Sequence, residues 1–248
     1  IDERGDAGIF YTARTEIDLM CRISLVDNLA NNLGLEYKNL FYEFVFAIDQ
    51  EEKSSADEKV RNRGIARDVW NHLRSVTVLD IACGSGSFLV GMLHILNDLI
   101  GRLGEIIGFQ ESAFLRKKQI IAQTLYGVDV IDWAVHVAEL RLWLALIVDA
   151  ELDQAQLKFS PLLPNLSFKI RRGDSLVQEI GGINLCHLKE IKGLGGSRRQ
   201  IAELKREKLK FYNNERGRKL FDAKDVEREE LRVFRNLLEA HAKQLDEE

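Results

Sequence analysis

Val78-Leu79-Asp80-Ile81-Ala82-Cys83-Gly84-Ser85-Gly86-Ser87-Phe88-Leu89 is the stretch that decides the fold. Val76, Val78, Leu79 and Ile81 read as a short strand, and Phe88 to Ile100 reads as a helix. A strand, a Gly-x-Gly turn and a helix in that order open an α/β unit. Gly84 and Gly86 allow backbone conformations that a Cβ forbids, and they let a ligand approach closely. Small Ala82 and Ser85 keep the space open, and the next helix presents free N–H groups. Dinucleotide-binding proteins and plain structural turns also use a lone Gly-x-Gly. Two details point away from a pyrophosphate ligand. Asp80 precedes the glycines, where an acid repels phosphate and suits a cation with an amino group. Leu89 stands where the third glycine of G-x-G-x-x-G would fall.

Two further acids sit at strand ends. Leu125-Tyr126-Gly127-Val128-Asp129-Val130 reads as a second strand, and Asp129 can accept from both hydroxyls of a ribose. Leu166 to Ile170 reads as a third strand that closes on Gly173-Asp174. Asp174 can accept from the exocyclic amine of an adenine, with the Ser175 N–H beside it. Singly, either acid is as well explained as a cap or turn residue. With the glycine turn they make the C-terminal edge of a parallel sheet, where such sheets bind ligands. The acid of a dinucleotide site follows its glycines by about 20 residues. Here Asp129 follows Gly86 at more than twice that distance, and residues 97–123 read as an inserted helical segment.

Around this core the chain reads as mostly helical. Thr15 is expected to cap a helix that runs to Gly34, with Asp18 in its acidic first turn. Residues 35–48 read as a second buried helix, 49–58 as an exposed acidic connection, and 58–73 as a third helix. Residues 111–123 and the apolar stretch Asp132 to Val148 add two more. Glycines 181, 182, 193, 195 and 196 mark a loop-rich stretch. From Arg198 onward the chain is charged and helical. Leu231, Phe234, Leu238, His241 and Leu245 have the spacing of a seam between paired helices. The basic half, 198–224, is expected to be a solvated or partner-packing face ahead of a DNA contact.

Composition sets outer bounds. The chain has 248 residues, 46% of them hydrophobic, and a formal net charge of -4. A sizeable core can form, and tight nucleic-acid binding by the chain as a unit gains no support. Cys21, Cys83 and Cys186 are widely spaced and form no C-x-x-C pair, which is expected of reduced thiols in a cytoplasmic protein without a bound metal. No run approaches the ~20 apolar residues of a membrane span.

One more motif lies upstream, Gly8-Ile9-Phe10-Tyr11-Thr12-Ala13. Alone it is a hydrophobic staple and cap. In order, Phe-Tyr-Thr, Leu-Asp-Ile-Ala-Cys-Gly-Ser-Gly-Ser-Phe-Leu, Gly-Val-Asp-Val and Gly-Asp-Ser-Leu make a set. Over roughly residues 5–180 that set resembles the N6-adenine DNA methyltransferases of restriction–modification systems. Type I modification subunits and fused type II restriction and modification enzymes share the arrangement. The resemblance implies a class I methyltransferase fold: a Rossmann-like α/β parallel sheet with an N-terminal helical segment and a C-terminal helical pair. It implies S-adenosylmethionine as cofactor. Tyr11 and Thr12 would close over its methionine part. Asp80, Ala82, Cys83, Gly84, Ser85, Gly86 and Phe88 would line the methionine and ribose side. Asp129 would hold the ribose, Val130 would pack on the adenine, and Asp174 and Ser175 would read its edge. Ala13 departs from the family, which has proline there.

The family's catalytic motif, Asn/Asp-Pro-Pro-Tyr/Phe, is missing. The only prolines are Pro161 and Pro164, which are not adjacent. No catalytic residue is therefore assigned. With Ile1 at its start and no such motif, the chain is expected to be a piece of a larger enzyme, inactive alone. The expected layout is 1–75 carrying Phe-Tyr-Thr, 76–180 as the cofactor-binding core, and 181–248 as a loop and charged helical insertion. Expected partners are DNA, through the parent protein, and a restriction or specificity subunit or fused nuclease, with no membrane. A methyltransferase for RNA or protein, or a non-catalytic scaffold of the same fold, remains open on the sequence.

Overall fold

A computed structural model describes residues 12–149, 169–177, 179–180, 183–184, 195–213 and 215–247. The chain divides into two compact units. One holds the residues up to 149 with Lys169–Gly173, and the other holds those from Asp174 onward.

The first unit is a mostly helical α/β structure. Its sheet has three strands in the order β1 (Val78–Asp80), β2 (Leu125–Asp129) and β3 (Ile170–Arg172). All pairings are parallel, with Val78 opposite Leu125 and Asp129 opposite Arg172. Parallel neighbours need long crossovers. Helices α5 (Ser87–Ile107) and α6 (Ala113–Gln123) fill the first, and α7 (Asp132–Ile147) stands in the second. The extra sequence length between the glycine turn and Asp129 is thus a long α5 plus α6.

Before β1 come α1 (Arg14–Leu33), a 3-10 turn, α2 (Lys38–Phe46), α3 (Gln50–Asn62) and α4 (Ala66–Ser75). Leu89, Leu93, Leu96, Leu99 and Leu103 run along α5 fully buried. Leu25 and Leu29 of α1, Val69 and Leu73 of α4, and Ile121 of α6 are buried with them. Gly127, in the middle strand, makes room for this row: a Cβ there would lie 2.9 Å from Leu89 Cδ1 and 3.0 Å from Cys83 Sγ.

Several local expectations are corrected. Helix α1 begins a residue before Thr15, so Thr15 lies in its first turn. The terminal N–H of Ala13 is satisfied instead by Glu16 Oε2, at 3.0 Å. The segment read as an acidic connection at 49–58 is mostly helix α3. Asp49 caps it, accepting from Glu52 N at 2.8 Å. Glu51 and Glu52 occupy the first turn, and Lys59 and Arg61 the last, which suits the helix dipole. Ala56 and Val60 bury one face, and Asp57 pairs with the buried Arg102 at 2.6 Å. The helix read over 58–73 is interrupted at Arg63-Gly64-Ile65. Replacing Asp49 by alanine should lower chain stability by about 1 kcal/mol, the worth of one N-cap, measured by urea unfolding. Unchanged stability would show that the Asp49 cap contributes nothing to folding. The third strand begins at Ile170, and 166–168 lie outside the described residues.

The second unit holds a short hairpin, β4 (Glu179–Ile180) with β5 (Ile183–Asn184), and two helices, α8 (Gly195–Tyr212) and α9 (Ala223–Glu247). The helices are antiparallel: Lys208 pairs with Glu230 at 2.6 Å and Asn236 donates to Gln200 at 3.2 Å. The inner face differs from the expected seam. Leu231 is 59% and Phe234 36% exposed, while Val226 and Val233 are buried, with Phe211 and Leu220 packed beside Val226. Two valines a heptad apart face inward, and the larger side chains face out. The side chains of His241 and Leu245 lie outside the described residues.

Candidate functional site

The site forms where β1 and β2 end. Asp80 ends β1 and Asp129 ends β2, and the turn between β1 and α5 folds back across the gap. Cys83 N donates to Val128 O at 2.9 Å, and Gly84 N donates to Asp129 Oδ2 at 2.8 Å. The other oxygen of Asp129 accepts from Ile131 N at 2.8 Å. Asp129 is therefore a brace. Its buried carboxylate ties the glycine turn to the strand end, and each oxygen keeps one lone pair for a ligand. The Asp129 carbonyl accepts from Gly173 N at 2.9 Å, which holds the end of β3 beside it.

The glycines differ in what constrains them. Both have positive φ, 51° at Gly84 and 76° at Gly86, where L side chains are strained. A Cβ on Gly86 would lie 2.9 Å from Ala138 Cβ, so the turn sits directly on α7. A Cβ on Gly84 would meet nothing within 4 Å. Gly84 is thus the open side of the turn and Gly86 the packed side.

Asp80 is electrostatically loaded. Oδ1 accepts from Ala82 N at 3.2 Å, but Oδ2 is buried without a protein partner. Burial raises its pKa above the ordinary 3.8, and the nearby charge of Asp129 raises it further against the Ala82 bond. The same surroundings push the Cys83 thiol up to about 12, chiefly by burial and then by Asp80 and Asp129. Cys83 is therefore an inert packing residue rather than a nucleophile.

Two cavities flank the start of α5. One, of about 500 Å³, is lined by Asp80, Ile81, Phe88 and α1 residues including Met20 and Cys21. The other, of about 750 Å³, is lined by Thr12, Arg14, Ser87, His94 and Arg141 among others. Val130 is exposed beside Asp129. Asp80, Ala82, Cys83, Gly84, Ser85, Gly86, Phe88, Asp129 and Val130 thus belong to one neighbourhood, with Thr12 on the cavity beyond Ser87. Tyr11 lies outside the described residues. Asp174 and Ser175 open the second unit, where Asp174 Oδ1 accepts from Leu176 N at 2.9 Å in a local turn.

Sequence reasoning overlooked Arg141 and Ala138 on α7. Arg141 Nη1 donates to Ser85 O at 3.0 Å, Ser85 Oγ at 3.1 Å and Ser87 Oγ at 2.8 Å. The signal was available: Arg141 is the one basic residue in the apolar run after His136. Among the described residues, no cluster of three or more His, Cys, Asp or Glu could hold a metal ion, and no helix is long and apolar enough to cross a membrane.

Residues 52–183, which carry the turn and Asp80, Asp129 and Asp174, match the model of the MmeI DNA-methyltransferase domain. The chain belongs to that family. The methyltransferase-domain match begins within α3 and ends at β5, before the α8–α9 pair. The chain is also 35% identical over 187 residues to a Methanocaldococcus jannaschii protein described as "Putative type II restriction enzyme and methyltransferase". That alignment covers 75% of this methyltransferase-family chain and 16% of the relative, so the chain spans a small part of that relative's length. No solved structure matches it.

Proposed function

We propose that the chain is the S-adenosylmethionine-binding portion of a DNA adenine N6-methyltransferase from a restriction–modification system. The observation that carries the proposal is the buried, partnerless Oδ2 of Asp80, at the end of β1 just before the glycine turn. A buried carboxylate oxygen without a donor is costly, and a second acid nearby deepens the negative potential. An ammonium or sulfonium group relieves both. The membership in a DNA-methyltransferase domain family favours DNA over RNA or protein as acceptor, and a two-activity relative favours a restriction–modification setting.

In this reading the three-stranded sheet belongs to a class I, Rossmann-like methyltransferase core. Asp80 takes the charged amino-acid end of the cofactor. Gly84 lets it approach, and Ala82, Cys83, Ser85, Gly86 and Phe88 shape the wall. Asp129 accepts from the ribose through its remaining lone pairs, and Val130 packs on the adenine. The family resemblance assigns Asp174 and Ser175 to the adenine edge, and Tyr11 and Thr12 to the methionine. When bound, S-adenosylmethionine supplies an electrophilic methyl group. The family's Asn/Asp-Pro-Pro-Tyr/Phe catalytic motif is not supplied by these 248 residues, which contain no Pro-Pro pair. The chain alone therefore binds cofactor without transferring methyl. DNA and a nuclease or specificity partner, in the cytoplasm, complete the proposal.

Isothermal titration tests it. The folded chain should bind S-adenosylmethionine, and a folded chain that binds none refutes the cofactor assignment. The longer protein should methylate adenine in duplex DNA. Transfer only to cytosine, RNA or protein refutes the acceptor.

A further inference from the structure

We infer that Arg141 is a positioning residue for the cofactor turn, an inference that rests on the S-adenosylmethionine reading above. Arg141 lies three residues after Ala138 on α7, so the two share a face. Ala138 supports the turn by contact at Gly86. Arg141 grips the next stretch through a single nitrogen and three acceptors, Ser85 O, Ser85 Oγ and Ser87 Oγ. The location is electrostatically unfavourable. Ser87 is the first residue of α5, and a cation beside a helix N-terminus opposes the helix dipole. Gly86, at the cap position, has no side chain to close that end. The guanidinium therefore needs its three acceptors, and they fix Ser85 and Ser87. Asp129 holds the turn at Gly84 and Arg141 holds it at Ser85 and Ser87. A glycine turn with two positive-φ residues would otherwise sample many conformations, and cofactor affinity would fall with the fraction that is competent.

Three variants, Arg141→Met, Arg141→Lys and Ser87→Ala, separate the possibilities. Arg141→Met should weaken S-adenosylmethionine binding on the order of tenfold, with a melting temperature near that of the parent. Arg141→Lys, whose ammonium carries three donors, should recover most of the loss, and Ser87→Ala should reproduce part of it. Decarboxylated S-adenosylmethionine should lose affinity by the same factor, because Arg141 acts through the turn. A loss confined to the carboxylated cofactor would make Arg141 a direct ligand and overturn the inference, as would unchanged affinity. Hydrogen exchange needs no cofactor. The amides of Cys83, Gly84 and Gly86 should exchange faster in Arg141→Met while the α5 core does not, and unchanged exchange there overturns the inference. A parent chain that binds no cofactor yet shows this local exchange refutes the functional proposal and leaves the role of Arg141 in the turn standing. If Arg141→Met does not fold, Ser87→Ala and Arg141→Lys are read by the same measures.

Discussion

Asp80→Asn should make the cofactor-free chain more stable at neutral pH while weakening S-adenosylmethionine binding by roughly ten- to a hundredfold. The affinity estimate is the worth of a hydrogen bond to a charged group, about 1.5–3 kcal/mol. The stability gain follows from the raised pKa. Burial first, then Asp129, makes the folded state hold the Asp80 proton more tightly than the unfolded chain does. At pH values above the raised folded pKa, the carboxylate is charged in both states and the folded state bears the penalty. As pH falls through that raised value toward the unfolded one, the penalty is relieved. The amide side chain introduced by the substitution retains an acceptor for Ala82 N and removes both the buried charge and its repulsion with Asp129. Its buried NH2 group opposes part of this gain. Thermal melts with and without cofactor check both signs: the substitution should raise the apo midpoint and shrink the cofactor-induced shift. Cofactor affinity of the parent should also weaken on acidification, as the Asp80 carboxyl, its pKa raised by burial, takes up a proton. A lowered apo midpoint with undiminished affinity would show that Asp80 is a structural residue.

Gly86→Ala should destabilise the chain by about 3 kcal/mol, the sum of a positive-φ penalty of about 1 kcal/mol and an overpacking term of about 2 kcal/mol. The overpacking partner is Ala138, whose Cβ stands 2.9 Å from the position the new methyl would take. Gly84→Ala carries the first term without the second, so its stability loss should be about 1 kcal/mol. Its added methyl enters the open face, and cofactor binding should suffer more than folding. Ala138→Gly in the Gly86→Ala background should restore part of the loss, less the penalty of about 1 kcal/mol for glycine in a helix. Urea unfolding of the parent, Gly84→Ala, Gly86→Ala, Ala138→Gly and the Gly86→Ala/Ala138→Gly double variant measures this. Equal losses for Gly84→Ala and Gly86→Ala, or additive effects with Ala138→Gly, would mean that contact with α7 does not set the turn.

What was legible in the sequence follows physical range. The order from β1 through the glycine turn to α5, and then β2 with its terminal acid, rests on local chemistry and could be read directly. Helix α3 was hidden because its acidic and serine-rich composition outweighed the pair Ala56 and Val60, and because its anchor, Asp57 to Arg102, joins residues distant in sequence. The face of α9 was misjudged because periodicity rewards large side chains. The space beside Phe211 and Leu220 is filled by Val226, a fact no spacing rule contains. The second role of Asp129 was also out of reach. A strand-end acid reads as a ligand, and only the folded turn shows that it holds Gly84 N. Arg141 was overlooked for the same reason, since its acceptors lie across a helix–turn contact.

The register of the sheet also governs when the site comes into being. Val78 finds its partner in Leu125, and Gly127 in Ile170, each after a long helical excursion. Loops of that size must close before any ladder bond rewards them, and such topologies fold slowly. On an elongating chain, the glycine turn emerges well before Asp129 and has nothing to brace it until that residue follows. The braced form of the turn is therefore acquired late, and it marks completion of the first unit's assembly.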